Sequence, residues 1–151
     1  MSRLHYSKLI IFLTYSGNGI TSDLISGYEK NGKSQLSVMK VDGPDISKYG
    51  VIVTDNKTGL VSGLIEKPNF ENAPSNLASI GRYVLTPDIF DILRNQSIGA
   101  GGEIQLADSI NKQAENNRVE TVLLNGKRFD CGNIQGYVEA IKHIASNYKF
   151  D

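Results

Sequence analysis

The chain has 151 residues, and its sixteen basic and sixteen acidic side chains leave no net charge at neutral pH. Hydrophobic residues make up 40% and charged residues 21%, as in an ordinary globular domain with its own core. This balance offers no basic excess for nucleic acid or a membrane surface, and the single cysteine, Cys131, excludes an internal disulfide. We therefore expect a cytoplasmic domain with neither nucleic acid nor membrane as a partner.

A short apolar run, KLIIFLTY, lies near the N-terminus at residues 8–15. It is far shorter than the roughly 20 residues of a membrane-spanning helix. Arg3 and Lys8 before it are faintly typical of a signal peptide, but TYSGNG is a poor small-residue cleavage site. We therefore predict a buried strand over residues 9–14.

Helical and strand patterns then alternate, which predicts an α/β fold with a mixed sheet flanked by helices. A helix is predicted from capping residues Thr21 and Ser22 to a left-handed end at Asn31-Gly32. Strands are predicted over 35–41, over YGVIVTD and LVSGLIEK at 49–55 and 60–67, over LASIGRYVLT at 77–86 and over VETVLL at 119–124. NKTG at 56–59, with Gly59 at a positive φ, indicates a β-hairpin over residues 50–67.

The helices of the second half carry their own start signals. In TPDIFDIL, Thr86 is predicted as N-cap, Pro87 as the first helical residue and Asp88 in the first turn. GAGG at 99–102 precedes a helix predicted to turn Ile104, Ala107, Ile110 and Ala114 inward. The amides of this glycine-rich stretch could receive an anion, although a plain helix-entry turn is favoured.

The C-terminal stretch combines a turn signal with the clearest helix. Asn125-Gly126 is a hairpin signal after VETVLL. Helical spacing over the last residues predicts one apolar face, formed by Ile134, Tyr137, Val138, Ile141, Ile144, Ala145 and Tyr148.

Candidate chemistry is confined to three short stretches. The two histidines, His5 and His143, form no metal-binding cluster with the cysteine, and there is no P-loop or Ser/His/Asp order. SKYGVIV places Gly50 at a strand start, where a missing Cβ lets another group approach the backbone. GLIEKP supplies a hydroxyl-accepting carboxylate and a phosphate-binding ammonium at Glu66 and Lys67. RFDCGN places Asp130 at a strand end, where open α/β sheets hold ligands.

Each stretch alone has a simpler explanation as a turn or strand end, and His143 is expected to be structural or solvent-facing. Together with APSNLASIGRYVLTPDIFDIL, GAGGEIQLADSI and GKRFDCGNIQGYVEAIKH, however, they resemble the bacterial UTP–glucose-1-phosphate uridylyltransferases. The resemblance runs from about Thr21 to Phe150. It implies the C-terminal part of a Rossmann-like nucleotidyltransferase fold over residues 21–151, after a poorly matching segment over 1–20.

The resemblance also implies roles for individual residues. Glu66 would accept hydrogen bonds from sugar hydroxyls and Lys67 would bind the phosphate of glucose 1-phosphate, which requires the chain to bend at Lys67; Pro68 would favour an extended exit there. Gly50 would let the sugar approach, Ile80 and Gly81 would line its pocket, and Asp130 would be one of two aspartates that hold Mg²⁺. No catalytic side chain is assigned.

The family's glycine-rich nucleotide-binding loop and its second metal-binding aspartate have no match in this chain. UTP binding would therefore require the missing N-terminal half, whereas glucose 1-phosphate or UDP-glucose would meet the part present here. Three hypotheses follow: an enzyme of this family, an inert remnant, or a module that completes a site with a separate N-terminal half or another copy of the chain.

Overall fold

A five-stranded mixed sheet dominates the fold. The computed structural model describes residues 10–55, 60–98 and 102–147. The chain divides into a larger unit, residues 18–124, and a smaller unit formed by residues 1–17 and 125–151. The strands are β1 Ile11–Tyr15, β2 Ser34–Lys40, β3 Gly50–Thr54, β4 Val61–Glu66, β5 Leu77–Val84, β6 Val119–Leu123 and β7 Gly126–Asp130. The helices are α1 Ile20–Asn31, α2 Ile89–Arg94, α3 Leu106–Glu115 and α4 Ile134–Asn147, with 3-10 turns at Pro44–Lys48 and Phe70–Asn72.

The larger unit orders its sheet β4-β3-β5-β2-β6. The β2–β6 pair is parallel, whereas β2–β5, β3–β4 and β3–β5 are antiparallel. This confirms the mixed α/β sheet and the antiparallel pairing of the 50–67 hairpin; the NKTG turn itself lies outside the described residues.

Alternation along β2 places helices on both faces of this sheet. Gln35 faces α1, because its side chain would meet a Cβ added at Gly27 at 2.7 Å. Leu36 and Val38 point the other way into the main core, together with Ile89 of α2 and Ile110 of α3. Burying these large apolar side chains stabilises the unit by about 1.5–3 kcal/mol each.

A polar network is buried at the edge of this core. Ser34 Oγ donates to Gln113 Oε1 at 2.7 Å, and Gln113 Nε2 donates to Thr86 Oγ1 at 2.8 Å. The Thr86 amide donates to Ser34 Oγ at 3.0 Å. Because its polar atoms satisfy one another, the network links β2, α3 and the entry to α2 without an unpaired group.

This network explains why the predicted cap of α2 is wrong. The helix begins at Ile89, two residues later than predicted, with Asp88 as its N-cap residue and no side-chain cap. Thr86 is buried, and its hydroxyl serves Gln113 instead. The cap predicted at Thr21 and Ser22 is also wrong, since α1 begins at Ile20 after Gly19. The predicted left-handed end at Gly32 is confirmed, with φ 66°.

The smaller unit pairs β1 with β7 in an antiparallel ribbon, with α4 packed against β7. The hairpin predicted at Asn125-Gly126 is therefore wrong, because β6 joins the other sheet and β7 pairs with a strand more than 100 residues away. Gly126 serves this pairing instead: a Cβ there would lie 2.0 Å from the carbonyl oxygen of Thr14. β1 is only partly buried, contrary to prediction, with Phe12 exposed at its surface.

Two predicted helix faces also differ from the structure. Ile104 precedes α3 and is exposed, whereas Ile110 and Ala114 are buried as predicted. The periodic apolar stripe of α4 is mostly exposed among the described residues, and the buried residues of that helix are Gly136 and Ala140. In the described part of the chain, none of the helices has the length and apolarity needed to cross a membrane.

Candidate functional site

Glu66 and Gly50 lie opposite each other at the end of the β3–β4 pair. A Cβ added at Gly50 would lie 2.9 Å from Glu66 Oε2. The absence of a side chain at Gly50 therefore leaves room for the Glu66 carboxylate above the neighbouring strand. A group does approach the backbone at Gly50, and it is the Glu66 carboxylate. Contact between Gly50 and a sugar stays a prediction.

The chain bends at Lys67, as predicted, but in an unexpected conformation. Lys67 has φ 47°, in the left-handed region, and its amide donates to the Tyr49 carbonyl at 3.0 Å. The extended exit expected before Pro68 is therefore wrong. A left-handed conformation costs a non-glycine residue about 1–2 kcal/mol. Such an outlier is typical of functional sites, where the surrounding structure holds it in place.

This bend brings the two opposite charges to one corner. Lys67 Nζ lies 4.0 Å from Glu66 Oε1, whereas neighbours on a regular strand would point to opposite faces. Both side chains are more than half exposed, at 66% and 56%, so their mutual attraction contributes little to stability. The pair is consequently available to an external ligand that carries both hydroxyl donors and an anionic group.

A pocket of about 210 Å³ opens beside Glu66. Its lining consists of Leu64 and Glu66 of β4, Tyr83 of β5, and Gln105, Leu106, Ala107 and Ile110 at the start of α3. Polar groups thus border an apolar floor. The volume is below the ~300–1,000 Å³ of pockets for drug-sized ligands and suits a single ring.

Tyr83 contributes a neutral hydroxyl to this pocket. Burial raises its pKa, a hydrogen bond with Ser79 lowers it, and the nearby Glu66 charge raises it further. The Tyr83 and Ser79 oxygens lie 2.7 Å apart. Because a phenol hydroxyl both donates and accepts, this bond leaves Tyr83 with further hydrogen-bonding capacity.

Asn111 fixes one wall of the pocket to the other. The Leu64 amide donates to Asn111 Oδ1 at 2.6 Å, and Asn111 Nδ2 donates to the Leu64 carbonyl at 3.1 Å. This two-point contact satisfies backbone groups of the edge strand β4 and holds α3 beside it. The positions of Glu66 and the start of α3 are therefore coupled.

Ile80 and Gly81 lie on β5 but not in the lining of this pocket. Ile80 is 3% exposed. Gly81 has φ 76° and lies where the β2–β5 register shifts, between the pairs Leu36–Tyr83 and Val38–Ser79. Their role in contacting a sugar stays a prediction.

Asp130 lies in the smaller unit, at the end of β7. Its Oδ1 accepts a hydrogen bond from the Gly132 amide at 3.0 Å. Among the described residues, no group of three or more His, Cys, Asp or Glu side chains could hold a metal ion. Asp130 has a carboxylate of the kind that can bind Mg²⁺, but the described side chains around it do not complete a metal-binding site. His143 packs beside Phe129 with ring centroids 5.3 Å apart, in agreement with a structural role.

The sequence interpretation missed Tyr83, Gln105 and Asn111. Gln105 and Tyr83 stand inside the stretches GGEIQL and GRY, which carry the resemblance, yet neither was given a role. Alternation along β5 places Tyr83 and Ser79 on one face, but only the strand order shows that β5 lies one strand away from β4. Residues 99–101 of the glycine-rich stretch considered for anion binding lie outside the described residues.

Comparisons with known proteins identify the family. The nucleotidyl transferase family model matches residues 15–147. A UTP–glucose-1-phosphate uridylyltransferase from Pseudomonas aeruginosa is 45% identical over 127 residues, which cover 82% of this chain and 46% of that protein. One from Streptococcus pyogenes is 44% identical over 128 residues, with 82% and 42% covered.

The chain is also similar to solved structures of UDP-glucose pyrophosphorylases. A UDP-glucose pyrophosphorylase complexed with UDP-glucose has a TM-score of 0.81 and 37% identity, covering 91% of this chain and 54% of that one. A UTP-bound UGPase from Acinetobacter baumannii has a TM-score of 0.77 and 31% identity, with 91% and 49% covered. The chain spans about half the length of the curated relatives it matches.

Proposed function

Since this chain belongs to the nucleotidyl transferase family, we propose that it carries the sugar-phosphate-binding part of a UTP–glucose-1-phosphate uridylyltransferase. The full reaction converts UTP and glucose 1-phosphate to UDP-glucose and pyrophosphate. The observation that carries the proposal is the corner at Glu66 and Lys67, where a strained backbone brings a carboxylate and an ammonium together beside a pocket for one ring.

The chemistry of this corner fits a sugar phosphate. Glu66 accepts hydrogen bonds from sugar hydroxyls, while Tyr83 can donate to or accept from another. The apolar floor, including Leu64 and Leu106, packs against the C–H groups of the ring. Lys67 pairs with the phosphate. Together these groups fix the orientation of the phosphate oxygen that attacks the α-phosphate of UTP.

The nucleotide side of the reaction is not assigned to residues of this chain. Asp130 fits the role of one carboxylate ligand to Mg²⁺, with further ligands from substrate phosphates and from the part of the longer relatives that this chain does not match. When bound, Mg²⁺ neutralises phosphate charge. We therefore propose a cytoplasmic chain that binds glucose 1-phosphate and needs a nucleotide-binding half for turnover.

Calorimetric titration with glucose 1-phosphate tests the sugar-phosphate site. A charge-assisted hydrogen bond contributes roughly 1.5–3 kcal/mol, so Glu66→Ala and Lys67→Ala should each weaken binding about tenfold or more. Lys30→Ala, which removes a charge from the exposed surface of α1, is the matched control and should bind as the wild type does. Equal affinity of the wild type and both site variants would contradict the proposal.

A further inference from the structure

The smaller unit carries an apolar surface that the sugar-phosphate site does not use. An open cleft of about 700 Å³ lies between the start of β1 and α4, and is lined chiefly by Ile10, Phe12, Cys131, Tyr137, Ile141 and Ile144. The stripe of α4 continues this surface through Ile134 and Val138. Six large side chains here, Ile10, Phe12, Ile134, Tyr137, Val138 and Ile141, are between 38% and 84% exposed.

This surface is comparable with the largest apolar patches of monomeric proteins. At about 200 Å² for an aromatic side chain and about 100 Å² for Ile or Val, these fractions leave on the order of 400 Å² exposed. That lies within the roughly 300–600 Å² of the largest apolar patch on a typical monomer, a patch that is often functional.

The lining does not fit a small polar ligand. Among the described side chains around the cleft, Cys131 and Tyr137 alone carry a polar atom. Small-molecule pockets hold several convergent polar groups that orient the ligand. An extended apolar face on a helix, with contacts at positions i, i+3, i+4 and i+7, is instead typical of packing against another protein surface.

The lengths of the relatives indicate what covers this surface. The family model includes all of α4, yet the matched stretch makes up only 46% of the Pseudomonas aeruginosa relative. A relative that contains this helix therefore has about as many residues again with which to cover it. We propose that the cleft and the α4 stripe form a docking surface for the nucleotide-binding half of a uridylyltransferase.

This inference rests on the proposed function for the identity of the partner but not on sugar binding. Docking buries the exposed stripe and adds the part of the relative that this chain does not match. The surface belongs to the smaller unit, whereas Glu66 and Lys67 belong to the larger unit. Assembly and sugar-phosphate binding can consequently be measured separately.

Co-expression tests the docking surface. This full chain, carrying an affinity tag, is produced with the residues of the Pseudomonas aeruginosa relative that lie outside its 127-residue match. The expected result is a soluble complex with one copy of each chain, identified by light scattering after size-exclusion chromatography. Failure of the partner half to enter a soluble complex would overturn the proposal.

Charge substitutions locate the interface. Ile134→Lys and Ile141→Lys place an ammonium in the docking surface and should weaken assembly at least tenfold. Ile98→Lys is the matched control, because Ile98 is 70% exposed and lies in the larger unit. Circular dichroism checks that each variant retains its fold, and Ile134, at 84% exposed, tolerates the change most readily.

Two further outcomes would contradict this assignment. One is assembly of both stripe variants with wild-type affinity. The other is a stable homodimer that the partner half does not displace, which would make a second copy the occupant of the surface. Loss of glucose 1-phosphate binding by the wild-type chain, with assembly intact, would instead refute the proposed function and leave the docking surface standing.

Discussion

Replacing Lys67 by glycine and by alanine should separate backbone strain from charge. Both substitutions remove the ammonium and its pair with Glu66, so the loss of that weak ion pair is the same in the two variants. At φ 47°, alanine retains the strain of the left-handed conformation, whereas glycine relieves it. The difference between the variants therefore reports the strain alone.

The magnitude follows from two opposing terms. Relief of the left-handed conformation favours glycine by about 1–2 kcal/mol. The greater freedom of glycine in the unfolded chain opposes this by about 0.4–1 kcal/mol. Lys67→Gly should thus exceed Lys67→Ala by about 0.5–1 kcal/mol in free energy of unfolding, or about 1–4 °C in Tm.

Urea and thermal unfolding of the two variants measure this difference. Lys30 in the last turn of α1 is the control position, where Lys30→Gly should be less stable than Lys30→Ala by about 1 kcal/mol. Both Lys67 variants should bind glucose 1-phosphate equally weakly, because both lack the ammonium. A Lys67→Ala variant as stable as Lys67→Gly, or more stable, would refute the strain at this corner.

Three other predictions concern the stability of the two units. Gln113→Ala removes hydrogen-bond partners of Ser34 and Thr86 in the core. Chemical denaturation should therefore show that the free energy of unfolding falls by about 2–4 kcal/mol. A fall below about 0.5 kcal/mol would contradict the importance of the network. The pKa of Asp88 is lowered chiefly by its hydrogen bond with Thr86; burial opposes this shift, and Arg118 and Gln113 lower the pKa further. This carboxylate therefore contributes stability above about pH 4 that is lost as pH falls through its folded pKa. Asp88→Asn should flatten that part of the plot of unfolding free energy against pH. An unchanged plot would contradict this assignment. Gly136→Ala places a Cβ 2.0 Å from a carbonyl oxygen of β7 and should lower the free energy of unfolding by about 1–3 kcal/mol. Helix propensity alone predicts the opposite, a gain of about 1 kcal/mol. Such a gain would show that α4 does not pack this closely against β7.

Local sequence patterns predicted the strands of the larger unit well because each strand carries its own signal. The runs around NKTG predicted the β3–β4 pair, and the bend at Lys67 followed from the need to bring it and Glu66 to one ligand. The left-handed form of that bend could not be predicted from sequence, since a residue before proline ordinarily avoids helical and left-handed conformations.

Contacts between distant segments account for two of the errors. Asn125-Gly126 has the residue types of a hairpin, yet β7 pairs with the distant strand β1. Thr86 has the residue type of a helix cap, but the buried Gln113 engages its hydroxyl. The stripe of α4 was correctly identified as apolar, but periodicity does not show whether the chain itself covers such a face.

The pocket, too, could not be predicted from local sequence patterns. Glu66 and Lys67 are adjacent in sequence and could be interpreted together, whereas Tyr83 and Gln105 join them only through the strand order and the position of α3. No local pattern contains this information.

Synthesis of UDP-glucose by the isolated chain, from UTP and glucose 1-phosphate with Mg²⁺, tests whether turnover requires a separate nucleotide-binding half. Positioning of reactants can contribute ~7–11 kcal/mol, and loss of about half of that slows a reaction on the order of a thousandfold. We expect the chain alone to turn over at least a thousandfold more slowly than the complete Pseudomonas aeruginosa relative, while it still binds glucose 1-phosphate. Turnover close to that of the complete relative would rule out this requirement, because the chain would then contain a nucleotide site of its own.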